Sequence, residues 1–215
     1  MPDGAQPDNV LFEWYERYVG EPATETEVYL GFGLFCGGCA FAALGLLAAV
    51  HAMAAIDAAY GTPPSIVSVL VPDAELVGTS RLRFFIWNVY DARLFAPKGE
   101  FRRDAPFALE LSYLRSLDGE AIAERSIVEI REQGFDDEKA LARWYEALVE
   151  IIPDVDSDTV IIGVADERGY TRFYENGRPL GTISEREFTR RFFDIWVGER
   201  CSRPDLRDAL LGKDS

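Results

Sequence analysis

Histidine is almost absent from this chain: His51 is alone among 215 residues. That removes a Ser-His-Asp triad and a histidine-rich zinc site. Cysteine is nearly as scarce. Cys36 and Cys39 lie inside an apolar run, and Cys201 stands alone in the remainder, which no internal disulfide can therefore staple. Bases are few as well, 22 against 37 acids for a net charge of −15, and only three of them are lysine. A chain this acidic lacks the basic face that nucleic-acid phosphates require, so nucleic acid is not an expected partner. Dispersed negative charge of this kind aids solubility, in saline surroundings above all.

No cofactor or metal fingerprint fills these gaps. Gly31-Phe32-Gly33 has Cys36 where a dinucleotide loop needs its third glycine, and no strand precedes it. Asp154, Asp156 and Asp158 open like a calcium loop, but Thr159 and Ala165 occupy the glycine and glutamate positions, which leaves an acidic turn. Cys36-x-x-Cys39 has neither a thioredoxin-like context nor a second cysteine pair, and reads as small residues along a helix. What is present is an ordinary globular composition, 48% hydrophobic and 27% charged, enough for one domain and a modest extra segment.

The extra segment is N-terminal. Residues 1–27 form an acidic leader with seven acids and Arg17 as the only base. Residues 28–56 contain no Asp, Glu, Lys or Arg, a run of 29 that exceeds the ~20 needed to span a bilayer core. With no polar stripe, the run is expected to be one transmembrane helix or signal anchor, holding the domain on the extracytoplasmic side. Ala52-Met53-Ala54 offers a signal-peptidase site as an alternative. Gly33 and Gly37 form a G-x-x-x-G that permits a homodimer through this helix, although glycine is common in membrane helices.

Residues 57–74, punctuated by Gly61, Pro63, Pro64 and Pro72, read as a tether with a short β-branched run at 66–71. The globular domain is expected at 75–212. Residues 81–95 are rich in aromatic and β-branched side chains, and FALELSY at 107–113 alternates, so both read as strand. Helical patterns follow at 119–133, stopped by Gly134, and at 138–152, with Leu141, Trp144, Tyr145, Leu148 and Ile152 on one face. Strand patterns return at 158–165, 171–174 and 178–183, the last two joined by the hairpin signal Asn176-Gly177. Ser184 and Glu187 have capping-box spacing before a helix carrying Phe188, Phe192 and Ile195, and Pro204 opens a last helix. This order implies an α+β domain with helices laid on an antiparallel sheet.

Arg125 and Glu129 sit one helical turn apart: a solvated ion pair, or an arginine that holds an anionic head group and is oriented by its glutamate. Phe84, Phe85, Trp87 and Tyr90 are candidates for a pocket wall or for plain core.

In order along the chain, GTSRLRFFIWNVYDARLFA (78–96), FALELSY, residues 122–134, FYENG (173–177), FFDIW (192–196) and LRDALLG (206–212) resemble the bacterial chalcone isomerase-like family. The resemblance implies an open-faced β-sandwich, a large antiparallel sheet covered by helices with a ligand cleft between. It implies either an isomerase that closes chalcones or a non-catalytic fatty-acid binder. Carried over residue by residue, it sets Phe85 at the enzyme's threonine, Asp73 near its arginine, Asp118 at its tyrosine and Arg125 at its asparagine; Thr182 matches. An aspartate in the arginine's place would repel the attacking phenolate. The expected function is therefore a membrane-tethered, non-catalytic binder of a small apolar or acidic ligand such as a fatty acid. Arg125 is the expected anion anchor, Thr182 and Tyr90 secondary contacts, with Glu129 and Asp118 beside them. The alternatives are an isomerase or intramolecular lyase using Asp118, Arg125 or Glu129 for acid–base work, and a partner-binding protein with a closed cleft.

Overall fold

The structure, a computed structural model, describes residues 62–84 and 86–213. The leader, the uncharged run at 28–56, the G-x-x-x-G, the C-x-x-C and Phe85 all lie outside the described residues. No helix among the described residues is long and apolar enough to cross a membrane.

Six strands form one antiparallel sheet in which every strand pairs with its sequence neighbour: β1 (Ala74–Phe84), β2 (Trp87–Pro97), β3 (Phe107–Tyr113), β4 (Val160–Ala165), β5 (Thr171–Glu175) and β6 (Arg178–Ile183). Between β3 and β4 the chain leaves the sheet through α2 (Gly119–Glu132) and α3 (Glu138–Ile151). A two-residue bridge between Leu117 and Val155 closes this excursion, with N–H···O distances of 3.0 and 2.9 Å in the two directions. After β6 come α4 (Arg186–Val197) and α5 (Pro204–Leu210), the latter returning to pack on β1. The expected α+β class with helices on an antiparallel sheet is the one found.

Alternation divides the strands between two cores. One face sends Leu109, Leu111, Ile161 and Phe173 toward Ile127, Trp144, Phe188 and Phe192 of the helices. The other sends Phe95, Ala108, Ile162 and Val164 toward Val67 and Val71. Val67 belongs to α1 (Ser65–Leu70), so the stretch read as a tether is helical from Ser65 and its valine is fully buried. Proline punctuation at 63, 64 and 72 marked the ends of this helix rather than a linker. On the same face Arg93 pairs with the buried Glu110 at 2.6 Å.

Two other local expectations give way to the structure. The aromatic run at 81–95 is two strands, not one: β1 ends at Phe84, β2 begins at Trp87, and those residues pair with each other. No glycine, proline or Asn-Gly marks the turn, so tertiary pairing sets it. The Ser184–Glu187 capping box does not form. Glu185 is the N-cap of α4 and makes no side-chain cap, while Glu187 binds Arg190 and Arg191 and Glu185 receives Trp144 Nε1 at 3.0 Å. Charged and indole partners outcompete an exposed backbone cap. Other signals read directly: Gly134 ends the α2 segment at φ +87°, Asn176 and Gly177 turn at φ +47° and +81°, and Pro204 opens α5.

Candidate functional site

Between the helix-side face of the sheet and α2, α3 and α4 lies a cavity of about 140 Å³. Period-two alternation directs Leu109, Leu111 and Tyr113 of β3 into it, and the next residue of that register, Arg115, follows them. From above, α2 contributes Ile122, Arg125, Ser126 and Glu129, the i, i+3, i+4, i+7 face of one helix. α4 adds Phe192, Phe193 and Trp196. Gly163 on β4 lies beneath Phe193, whose ring stands 3.3 Å from where a Cβ would be.

The polar groups are few and unbalanced in sign. Three arginines, Arg115, Arg125 and Arg203, line the cavity against one carboxylate, Glu129, in a chain of net charge −15. Arg125 pairs through Nη2 with Glu129 and stands 3.6 Å from Glu132 Oε2. The pair is sequestered, with side chains only 13% and 10% exposed, and Ser202 Oγ donates a further hydrogen bond to Glu129 at 3.1 Å. The second terminal nitrogen of Arg125, Nη1, is buried and donates to no protein group. A buried guanidinium N–H left without an acceptor is costly, and an acidic oxygen entering the cavity would satisfy it. Arg203 binds Asp205 at 3.2 Å and the backbone oxygen of Arg83 at 3.1 Å. The Arg115 guanidinium stands 5.2 Å from the Trp87 ring centre.

Tyr90 accepts a 2.9 Å hydrogen bond from Trp196 Nε1 and sets its ring edge-on to Tyr113 at 5.9 Å. Burial raises the pKa of both phenols well above the ordinary tyrosine value, outweighing the opposing Trp196 contact at Tyr90. Burial likewise raises the Cys201 thiol, with Glu129 adding to the shift, so this sulfur is no ready nucleophile. The chamber is thus apolar over most of its wall, with neutral hydroxyls and an arginine-rich polar end.

Arg125, Glu129 and Tyr90, singled out from the sequence, meet in this cavity. Thr182 and Asp118 do not line it. Thr182 is exposed on the edge strand β6, where alternation points its neighbour Ile183 into the core instead. Asp118 is exposed at the start of α2, and the first helical N–H, on Gly119, is taken by Asp154 Oδ1 at 2.9 Å. Asp73 is exposed in the turn before β1, at the opposite end of that strand from Leu82 and Phe84, which do line the cavity. Asp156 accepts from Asp158 N and Thr159 Oγ1, both at 2.9 Å, as in an acidic turn. The sequence reading missed Arg115, Ser202 and Arg203. Continuing the alternation of FALELSY by two residues would have found Arg115. Ser202 and Arg203 lie between α4 and α5 with no local pattern to mark them.

A sheet-and-helix domain enclosing an apolar chamber with a cationic end is the class of protein that fold and site define. The chain belongs to the chalcone isomerase-like family, whose model matches residues 73–212. Residues 9–71 match a second family model, described as the N-terminal domain of cell division protein A. Among solved structures, an Arabidopsis thaliana fatty-acid binding protein is similar with a TM-score of 0.53 at 12% identity, covering 66% of this chain and 88% of that one. At that identity the likeness establishes the fold. No curated protein matches the sequence.

Proposed function

We propose that this domain binds, without transforming, a small apolar ligand with an acidic head, such as a fatty acid. The observation that carries the reading is Arg125 Nη1, buried without an acceptor at the arginine-rich end of an otherwise apolar cavity. A carboxylate there would gain a charge-assisted hydrogen bond shielded from water, while the chain packs against Leu109, Leu111 and Phe192. The structural likeness to a protein described as fatty-acid binding supports the same ligand class. The residues set at the chalcone-closing isomerase's catalytic positions point away from chalcone cyclisation: Asp73 and Asp118 stand outside the cavity. We further propose that residues 28–56 tether the domain to a membrane, on the strength of their uncharged length.

Native mass spectrometry of the full chain released from detergent is expected to show an acidic lipid bound one to one. A chain that emerges empty and fails to take up added oleate would overturn the binding reading. In parallel, the chain should not accelerate chalcone cyclisation above its spontaneous rate in buffer. A saturable enhancement of several orders of magnitude would establish an isomerase instead.

A further inference from the structure

Arg125 is already shared before any ligand arrives. Arg125, Glu129 and Glu132 occupy positions i, i+4 and i+7 of α2 and so stand on one face of it. Arg125 Nη2 binds Glu129 and lies 3.6 Å from Glu132 Oε2, while Nη1 is the buried group without an acceptor. One guanidinium thus faces two carboxylates, and an acidic head at Nη1 would be the third. The two glutamates are not equivalent. Glu129 is sequestered and also accepts from Ser202 Oγ at 3.1 Å, whereas the Glu132 side chain is 37% exposed and can exchange protons with solvent.

Charged groups on the neighbouring elements are mostly engaged elsewhere. Arg203, in the loop before α5, is held by Asp205, and Arg200 of the same loop donates to Gln133 O at 3.0 Å. From α3, Glu138 binds Arg131 at 2.8 Å; from α4, Glu187 binds Arg190 and Arg191, and Asp194 binds Arg103. Arg115 reaches the cavity from the end of β3. Arginine is a fixed positive charge in a protein, and burial raises the Tyr90 phenol and the Cys201 thiol, which keeps both neutral. Glu132 differs. Burial raises its carboxyl above the ordinary glutamate value, Arg125 opposes that shift and Glu129 adds to it. A third anion beside Arg125 would favour the protonated form further, because like charges disfavour ionisation.

We propose that Glu132 sets the specificity of this site: it takes a proton from solvent as an anionic head binds Arg125, so that acidic ligand is held more tightly at lower pH and let go more readily at higher pH. This rests on the acid-binding reading above. Linkage fixes the direction. The factor that separates ligand affinity for the protonated and the ionised Glu132 forms also separates the proton affinity of Glu132 with and without ligand. Ligand affinity is therefore highest below the Glu132 pKa of the empty site. It falls as pH rises from there to the ligand-bound value, and is flat above it. A like charge within ~4–6 Å is worth about a factor of ten in a carboxyl's proton affinity, hence in ligand affinity.

The test titrates the full chain, in dodecyl maltoside micelles, with decanoate, with decanesulfonate, whose head stays ionised throughout, and with neutral decanol. Calorimetry in two buffers of different ionisation heat counts the protons bound per ligand between about pH 5 and pH 8. Decanesulfonate is expected to bring in a fraction of a proton and to bind about tenfold more weakly at the upper end of that range than at the lower. Decanol is expected to bring in none. Glu132→Gln, a conservative change at a partly exposed position, should bind decanesulfonate about tenfold more tightly than the parent at the upper end, with no proton uptake and a flat profile. Partition into micelles is the same for both proteins and cancels. A residue that merely supported the helix would weaken binding when replaced and leave the pH profile in place. Decanesulfonate binding without proton uptake, or uptake that persists in Glu132→Gln, overturns the proposal. Should decanoate alone bind, its proton uptake must likewise be smaller in Glu132→Gln than in the parent, and equal uptake overturns the proposal. A parent that binds none of the three refutes the acid-binding reading, and the proton coupling with it.

Discussion

Replacing Trp144 by alanine is expected to cost about 3–5 kcal/mol of stability, the range for a large aromatic removed from a packed core. Trp144 is 1% exposed. It stacks on Phe135 at 4.9 Å, meets Phe188 edge-on at 5.6 Å and donates Nε1–H to Glu185 at 3.0 Å. It thereby joins α3 to the start of α4, and the cavity lies beneath those helices. For a domain of this size each kcal/mol moves the midpoint by roughly 2–4 °C, so the melting temperature should fall by about 6–20 °C. Trp144→Phe keeps the ring contacts but loses the indole donor, and should recover more than half of the loss. Thermal unfolding followed by near-ultraviolet circular dichroism decides it. An alanine variant melting within about 2 °C of the parent would show that the α3–α4 seam does not hold the fold.

Arg125 and Glu129 produce the second large effect, and its sign depends on which charge is removed. Arg125→Ala alone strands the buried Glu129 carboxylate, which keeps only Ser202 as a donor. Breaking a buried pair in this way costs about 3–5 kcal/mol, so loss of ligand binding in the single variant would be uninformative. The double variant Arg125→Met with Glu129→Met removes both charges at similar volume and should fold within about 1–2 kcal/mol of the parent. If Arg125 anchors an acidic head, the parent should prefer a fatty acid over its methyl ester by about ten- to a hundredfold, at 1.4 kcal/mol per tenfold. The double variant should bind acid and ester alike. Competition against a fluorescent fatty acid measures both preferences. A parent that does not distinguish acid from ester would remove Arg125 from the site. Arg125→Lys should keep the pair with Glu129 yet lose part of the preference, because an ammonium lacks the two-pronged guanidinium.

Much of the fold was legible because its signals are local. The alternation of FALELSY, the helical spacing of Leu141, Trp144 and Leu148, the Asn176-Gly177 turn and Pro204 each act within a few residues, and each forms as read. The ordered set of segments carries the resemblance to the chalcone isomerase-like family, whose model matches residues 73–212. The hairpin break after Phe84 was not legible, because nothing in FFIW favours a turn over a continued strand and only pairing with the partner strand decides. Helix α1 was hidden by β-branched residues that intrinsically disfavour helix, and burial of Val67 against the sheet's second face overrides that preference.

For the site the division is sharper. By itself the sequence determined that Arg125 and Glu129 share a helix face, since 3.6 residues per turn guarantees it. Which way that face points is not a local property. The β3–β4 excursion, clamped at Leu117 and Val155, turns it onto the sheet. That orientation makes a surface ion pair into a sequestered one with an unsatisfied N–H. The same tertiary placement left Thr182 and Asp118 in solvent and brought Arg115 and Arg203, 88 residues apart in sequence, to one end of one chamber. Periodicity encodes which residues share a face; only the packing of faces against one another decides which of them meet.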